Sequence, residues 1–144
     1  MMNTVKDMLR VKGREVWSIG PDAPVYDALS MMADKGVGAL LVLEGGGVVG
    51  IVSERDYARK VDLKRKSSRQ TPVRDIMTPD VVYVRPENTV EECMALMTHK
   101  RIRHLPVMED DKVVGVISIG DVVKAIISEQ QFVIEQLEHY ISGR

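Results

Sequence analysis

Residues 21–56 and 86–121 of this 144-residue chain run in register at an offset of 65, without a gap. The two stretches agree at Pro21/Pro86, Val25/Val90, Met32/Met97, Lys35/Lys100, Leu40/Leu105, Val42/Val107, Glu44/Glu109, Val48/Val113, Val49/Val114, Gly50/Gly115, Ser53/Ser118 and Asp56/Asp121, which makes 12 identities in 36 positions. A unit this short has little core of its own, so a duplication predicts two copies that bury apolar surface together about a pseudo-twofold axis. Any surface pocket beside one copy then has a counterpart beside the other.

Each copy carries the same order of signals. A short apolar strand comes first, Val16–Ile19 and Val81–Val84. A helix follows with its apolar residues on one stripe, Val25, Ala28, Leu29 and Met32 in one copy, Val90, Cys93, Met94 and Met97 in the other. Asn88-Thr89 before the second of these, with Glu91-Glu92 in its first turn, is a helix start signal. Then comes a strand pair, Leu40–Leu43 with Val48–Val52 and Leu105–Met108 with Val113–Ile117, whose near-continuous apolar runs predict small sheets covered on both faces. A second helix begins after Ser53 and after Ser118. The unit is therefore β-α-β-β-α, twice, in an α+β fold.

Outside the repeat lie three segments. Related lead-ins, Val5-Lys6-Asp7-Met8-Leu9 and Val73-Arg74-Asp75-Ile76-Met77, align at an offset of 68, so copy one holds three extra residues around Lys12-Gly13-Arg14. Lys60–Pro72, with its run Lys64-Arg65-Lys66-Ser67-Ser68-Arg69, reads as a solvated linker, a phosphate contact by one or two of its bases being the lesser reading. Past Asp121 the last helix continues towards Tyr140. Ile126, Gln130, Val133, Leu137 and Tyr140 alternate by four and three along it, a narrow seam suited to a partner helix or to packing within the domain. We favour the partner, because the seam lies outside the repeat. The resulting division is repeat one at 5–63, linker at 64–72, repeat two at 73–127 and a C-terminal helix extension at 128–144.

Composition removes several function classes. A net charge of −1 supplies no electrostatic footprint for a nucleic-acid duplex. A single cysteine makes no internal disulfide and no thiolate cage. The N-terminus is not followed by an apolar run long enough for a signal peptide or membrane span, so a cytoplasmic chain without membrane contact is expected. His99, His104 and His139 fall on different elements and make no metal-ligand spacing, so no metal is expected.

The strings Gly50-Ile51-Val52-Ser53-Glu54-Arg55-Asp56 and Gly115-Val116-Ile117-Ser118-Ile119-Gly120-Asp121 carry the chemistry. Ser-x-x-Asp at a helix start has the form of a capping box, which would do nothing but begin a helix. The same turn also offers backbone N–H groups and the positive end of a helix to an anion. A carboxylate one turn in can accept from the two hydroxyls of a ribose. Spacing alone leaves both readings open.

With "GIVSERD" and "GVISIGD" closing the copies and "RHLPVMEDDKVVGVIS" in the second, the duplication resembles a tandem pair of CBS domains, from about Val5 to about Ile127. That resemblance implies two clefts between the copies for adenosine-containing ligands: NAD or AMP foremost, with ADP, ATP or S-adenosylmethionine as further candidates. Carried over residue by residue, it implies one cleft using Ser53 and Asp56 for ribose, with adenine near Val82 and against Ile102, Arg103 and His104. The other would use Ser118 and Asp121, with adenine near Trp17 and beside Val37, Gly38 and Ala39. Arg103 and Arg55 are the phosphate candidates, since a guanidinium offers paired donors. The copies depart from each other at Leu41 against Pro106, Gly38 against Arg103 and Arg55 against Gly120, which predicts two related but unequal sites.

Some residues tempt other readings. Gly45-Gly46-Gly47 suggests a phosphate loop, but it aligns with Asp110-Asp111-Lys112 and is expected to be a hairpin turn. Cys93 aligns with Ala28 on a helix stripe and reads as core. Trp17 either covers a sheet edge or flanks an adenine ring. Taken together, the sequence points to a ligand-sensing regulatory module with no catalytic cofactor, acting as a homodimer or larger homo-oligomer on an unidentified regulated protein. An enzyme acting on nucleotides is disfavoured by the lack of a nucleophile–base pair. A structural assembly module with vestigial clefts is the alternative.

Overall fold

The computed structural model describes residues 3–142. In chain order the elements are α1 (Val5–Lys12), β1 (Ser18–Ile19), α2 (Val25–Lys35), β2 (Ala39–Glu44), β3 (Gly47–Ser53), α3 (Glu54–Tyr57), α4 (Val90–Lys100), β4 (His104–Glu109), β5 (Lys112–Ser118) and α5 (Ile119–Ser142). A π-helical turn, Ala58–Asp62, continues α3, and a 3-10 turn spans Val73–Asp75. The chain forms two compact units: Val16–Val81, and the residues up to Glu15 joined by those from Val82 onwards.

In the Val16–Val81 unit, β1 pairs parallel with β2, and β2 pairs antiparallel with β3. In the other unit β4 and β5 form the equivalent antiparallel hairpin. Ala39 stands across from Ser53, and His104 from Ser118. Both ladders slip at the same repeat position, between Val42 and Leu43 and between Val107 and Met108. The hairpin turns use two consecutive left-handed residues, Gly45 and Gly46 at φ 59° and 81°, Asp110 and Asp111 at φ 51° and 63°. Their twist matches that of the flanking strands. The triple glycine is thus a hairpin turn, as its aligned counterpart predicted.

The expected first strands are shorter than the apolar runs. Val16–Ile19 contributes only Ser18–Ile19, and Val81–Val84 contributes a single parallel bridge from Val84 to Val107. Pro106 explains part of the difference. In copy one the Leu41 N–H donates to the Trp17 carbonyl at 3.2 Å. Pro106 stands at Leu41's repeat position and has no N–H to donate, so that rung is missing.

The lead-ins are exchanged. Helix α1, which the sequence places before copy one, packs Val5, Met8 and Leu9 into the core built by Val90, Cys93, Met97, Leu105, Val107 and Ile117. Val73 and Ile76, which precede copy two, sit in the core of Val25, Ala28, Met32, Leu40, Val42 and Val52. The backbone docking is identical in kind. The Val5, Lys6 and Val90 N–H groups donate to Asn88, Pro86 and Asn3, as those of Val73, Arg74 and Val25 donate to Ala23, Pro21 and Thr71. Each core is closed by a segment that the repeat count assigns to the other copy.

Cys93 is fully buried, and burial first, then the charge of Glu92, pushes its thiol up to about 11. It is a core residue, as expected. The Lys60–Pro72 stretch is less solvated than its composition suggested. Lys64, Arg65 and Lys66 are exposed, but Val61 is buried and Thr71 is buried with its hydroxyl donating to the Ser67 carbonyl at 2.7 Å. On α5, Val122 and Ala125 are buried and Ile126 is partly so. From Phe132 to Ile141 the apolar side chains are exposed.

Candidate functional site: the two serine-aspartate turns

Each motif sits where a strand becomes a helix. Ser53 ends β3 in extended backbone and caps α3; its Oγ accepts from the Asp56 N–H at 3.2 Å. Asp56 Oδ2 accepts in return from the Ser53 N–H at 2.9 Å and the Ser53 hydroxyl at 3.1 Å. Ser118 and Asp121 repeat the arrangement, with 3.2, 2.8 and 2.9 Å. The capping box is therefore formed in both copies. The N–H after each serine is also engaged, Glu54 donating to the Gly38 carbonyl at 3.1 Å and Ile119 to the Arg103 carbonyl at 2.8 Å. Two of the N–H groups that would suit a phosphate are thus already used within each turn.

The glycine of each motif has a packing role that the sequence did not reveal. A Cβ on Gly115 would lie 2.5 Å from Leu9 Cδ2, and one on Gly50 would lie 2.6 Å from Met77 Sδ. Leu9 and Met77 are equivalent lead-in residues. The glycine is where the exchanged lead-in crosses the strand.

Each carboxylate also meets a lysine, and here the copies diverge. Lys12 Nζ donates to Asp121 Oδ2 at 2.6 Å and to the Val116 carbonyl at 2.7 Å. Lys60 Nζ lies 3.2 Å from Asp56 Oδ1 and donates to the Ile76 carbonyl at 2.9 Å. These lysines are not repeat partners: one comes from α1, the other from the π-helical turn that continues α3, four residues after Asp56. Burial alone would raise the pKa of Asp121, but hydrogen bonds from Lys12 and from the Ser118 backbone hold it below the usual carboxylate value. His104 is lowered from 6.5, first by burial, then by Lys12; Asp121 opposes the shift and Arg103 adds to it. Neither lysine was among the expected site residues. The signal for Lys12 was the three-residue insertion in which it stands.

The structure brings Ser118, Asp121, His104 and the Arg103 backbone together in one unit, and Ser53, Asp56, Ala39 and the Gly38 backbone in the other. Arg55, Arg103 and Gly120 are exposed. Val82 and Ile102 pack against the core of their unit, as Trp17 and Val37 do in theirs. The Lys35 ammonium lies 4.5 Å from the centre of the Trp17 ring. The sets expected from the resemblance each draw on residues of both units. Among the described residues no group of His, Cys, Asp and Glu could hold a metal, and no helix is long and apolar enough to cross a membrane.

Comparison with known proteins agrees with this architecture. The CBS domain model matches residues 5–62 and 73–128. The chain is 41% identical over 150 residues to the CBS domain-containing protein CBSX3, mitochondrial, of Arabidopsis thaliana, covering 97% of this chain and 72% of that one. A solved CBS-domain protein from Burkholderia ambifaria superposes with a TM-score of 0.85 at 51% identity, over 88% of this chain and 96% of the other. A CBS domain pair solved with 5′-methylthioadenosine and S-adenosyl-L-methionine shares the fold at 21% identity and a TM-score of 0.78, over 90% and 99%. This chain belongs to the CBS domain family, as a tandem pair of repeats with an extended C-terminal helix.

Proposed function

We propose that the chain is a regulatory module that senses an adenosine-containing small molecule through Asp56 and Asp121. NAD and AMP are the first candidates, followed by ADP, ATP and S-adenosylmethionine. One observation carries this reading. Among the described residues, the donors that meet Asp121, from the Ser118 backbone, the Ser118 hydroxyl and Lys12, share Oδ2. An ionised carboxylate has roughly four acceptor sites, so Oδ1 retains capacity for a ribose diol. The neighbour bound to two adenosine compounds supports the choice of ligand class. We assign the chain a sensing role and no reaction.

Ligand state would pass outward through α5, whose exposed Val133, Leu137 and Tyr140 suit a second copy of the chain. Light scattering at micromolar concentration should then give a homodimer or larger assembly, and a monomer would remove this part of the reading. The alternative, an assembly module with vestigial sites, is favoured by the complete capping boxes, which give both carboxylates a structural task. A thermal-shift panel of AMP, ADP, ATP, NAD and S-adenosylmethionine separates the two, because a ligand that binds only the folded chain raises its apparent stability. Upward shifts with adenosine compounds and none with inorganic phosphate are expected; a flat panel favours assembly alone.

A further inference from the structure

Lys12 stands at the end of α1 for a structural reason. Gly13, at φ 101°, closes the helix with its N–H on the Leu9 carbonyl at 2.7 Å. Leu9 is fixed against Gly115. Three residues further on, Lys12 lies on the same helix face and reaches the same strand, β5. In the other unit the lead-in leaves its turn differently. Thr78 exchanges backbone hydrogen bonds with Ile51, the repeat partner of Val116, at 2.9 and 3.0 Å. The three extra residues thus replace a backbone rung by an ammonium, and they set that ammonium on the motif carboxylate.

The ammonium is exchangeable. Its side chain is 36% exposed against 18% for Asp121, and it has three donors for the two acceptors it meets. A ribose approaching Asp121 must share the carboxylate with it or move it. A neutral nucleoside offers a displaced ammonium no new anion. A phosphate on the same ribose does. We propose that Lys12 is the specificity gate of the Asp121 turn: parked on the carboxylate in the free chain, it disfavours neutral adenosine and is recruited by a phosphorylated adenosine. The Asp56 turn is built differently: its lysine, Lys60, follows four residues later in the same segment and is paired with Oδ1, the oxygen that Asp121 leaves open, so the proposal is confined to the Asp121 turn. The proposal rests on Asp121 reading ribose.

The test is calorimetric titration of the full chain with AMP and with adenosine. It uses the natural sequence, Lys12→Met and Lys12→Arg, each also in an Asp56→Asn background so that the Asp121 turn is read alone. The natural chain should prefer AMP by about tenfold, the scale of one charge-assisted hydrogen bond. Lys12→Met should weaken AMP and tighten adenosine so that the preference collapses, and Lys12→Arg should keep it. Equal affinities in the natural chain, or parallel loss of both ligands in Lys12→Met, would overturn the gate while leaving the sensing role intact. Failure of the natural chain to bind either ligand would overturn both. The comparison within the natural chain does not depend on any variant folding.

Discussion

Leu9 and Gly115 are in contact so close that the glycine has no room for a side chain: a methyl group there would lie 2.5 Å from Leu9 Cδ2. Gly115→Ala should therefore destabilise the chain by about 1–3 kcal/mol through overpacking. Gly50→Ala should behave similarly, since it would meet Met77 Sδ at 2.6 Å and the Thr78 carbonyl at 3.0 Å. Gly120→Ala is the internal contrast. Its nearest neighbour would be Ser118 Oγ at an ordinary 3.6 Å, and it should stabilise by up to about 1 kcal/mol through helix propensity. Denaturant unfolding of the three variants checks the order, and a loss at Gly120 equal to that at Gly115 would remove the packing argument.

Helix α2 ends at Gly36, which adopts φ 67°, and α4 ends at the equivalent Arg101, which adopts φ 56°. A side chain in that left-handed conformation costs about 1–2 kcal/mol relative to glycine. Arg101→Gly should raise the melting temperature, by a gain of about 0.5–1 kcal/mol after the added freedom of the unfolded glycine is discounted. Gly36→Arg should lower it. Opposite signs from two substitutions at one repeat position are the expected outcome of a calorimetric comparison.

Stability should fall as pH drops below neutrality. His104 has its folded pKa depressed below 6.5, first by burial, so between that depressed value and 6.5 the unfolded chain binds more protons. Stability therefore rises with pH across this window and is lost as the histidine of the unfolded chain protonates. Asp121 acts at lower pH. Its folded pKa is below the usual 3.8, so its contribution is present above that value and lost as pH falls through the folded pKa. His104→Gln should flatten the upper part of the melting profile and leave the acid limb; an unchanged upper slope would assign it to other groups.

Much of this was legible in the chain. The offset of 65 located both hairpins, both turns and both helix stripes, because apolar periodicity and Ser-x-x-Asp spacing are local signals. The exchange of Val5–Leu9 with Val73–Met77 was not. Equal lead-ins are equally apolar whichever core they enter, and only the change of offset to 68 hinted that they follow a separate rule. Pro106 was seen as a departure from Leu41, but its consequence depended on the Leu41 N–H being the donor to the Trp17 carbonyl in copy one. Lys12 stood out in the sequence only through the insertion that holds it, and its pairing could not be read because its partner Asp121 lies 109 residues away.

Asp121 offers the sharpest test of ribose reading. Capping and ligand binding both require its carboxylate, so lost stability alone cannot separate them; Asp121→Ala should cost about 0.5–2 kcal/mol in either case. Affinity does separate them. If Oδ1 accepts from the ribose hydroxyls, the substitution removes one or two hydrogen bonds to a charged group, and AMP binding should weaken by roughly 10- to 100-fold. The 2′,3′-dideoxy analogue never makes those bonds and should bind the variant about as it binds the natural chain. In an Asp56→Asn background, which leaves the Asp121 turn to be read alone, the discrimination between AMP and its dideoxy form should thus vanish in Asp121→Ala at a temperature well below both melting points. Parallel weakening of the two ligands would instead mean that the carboxylate serves α5 alone, with affinity lost through a loosened turn.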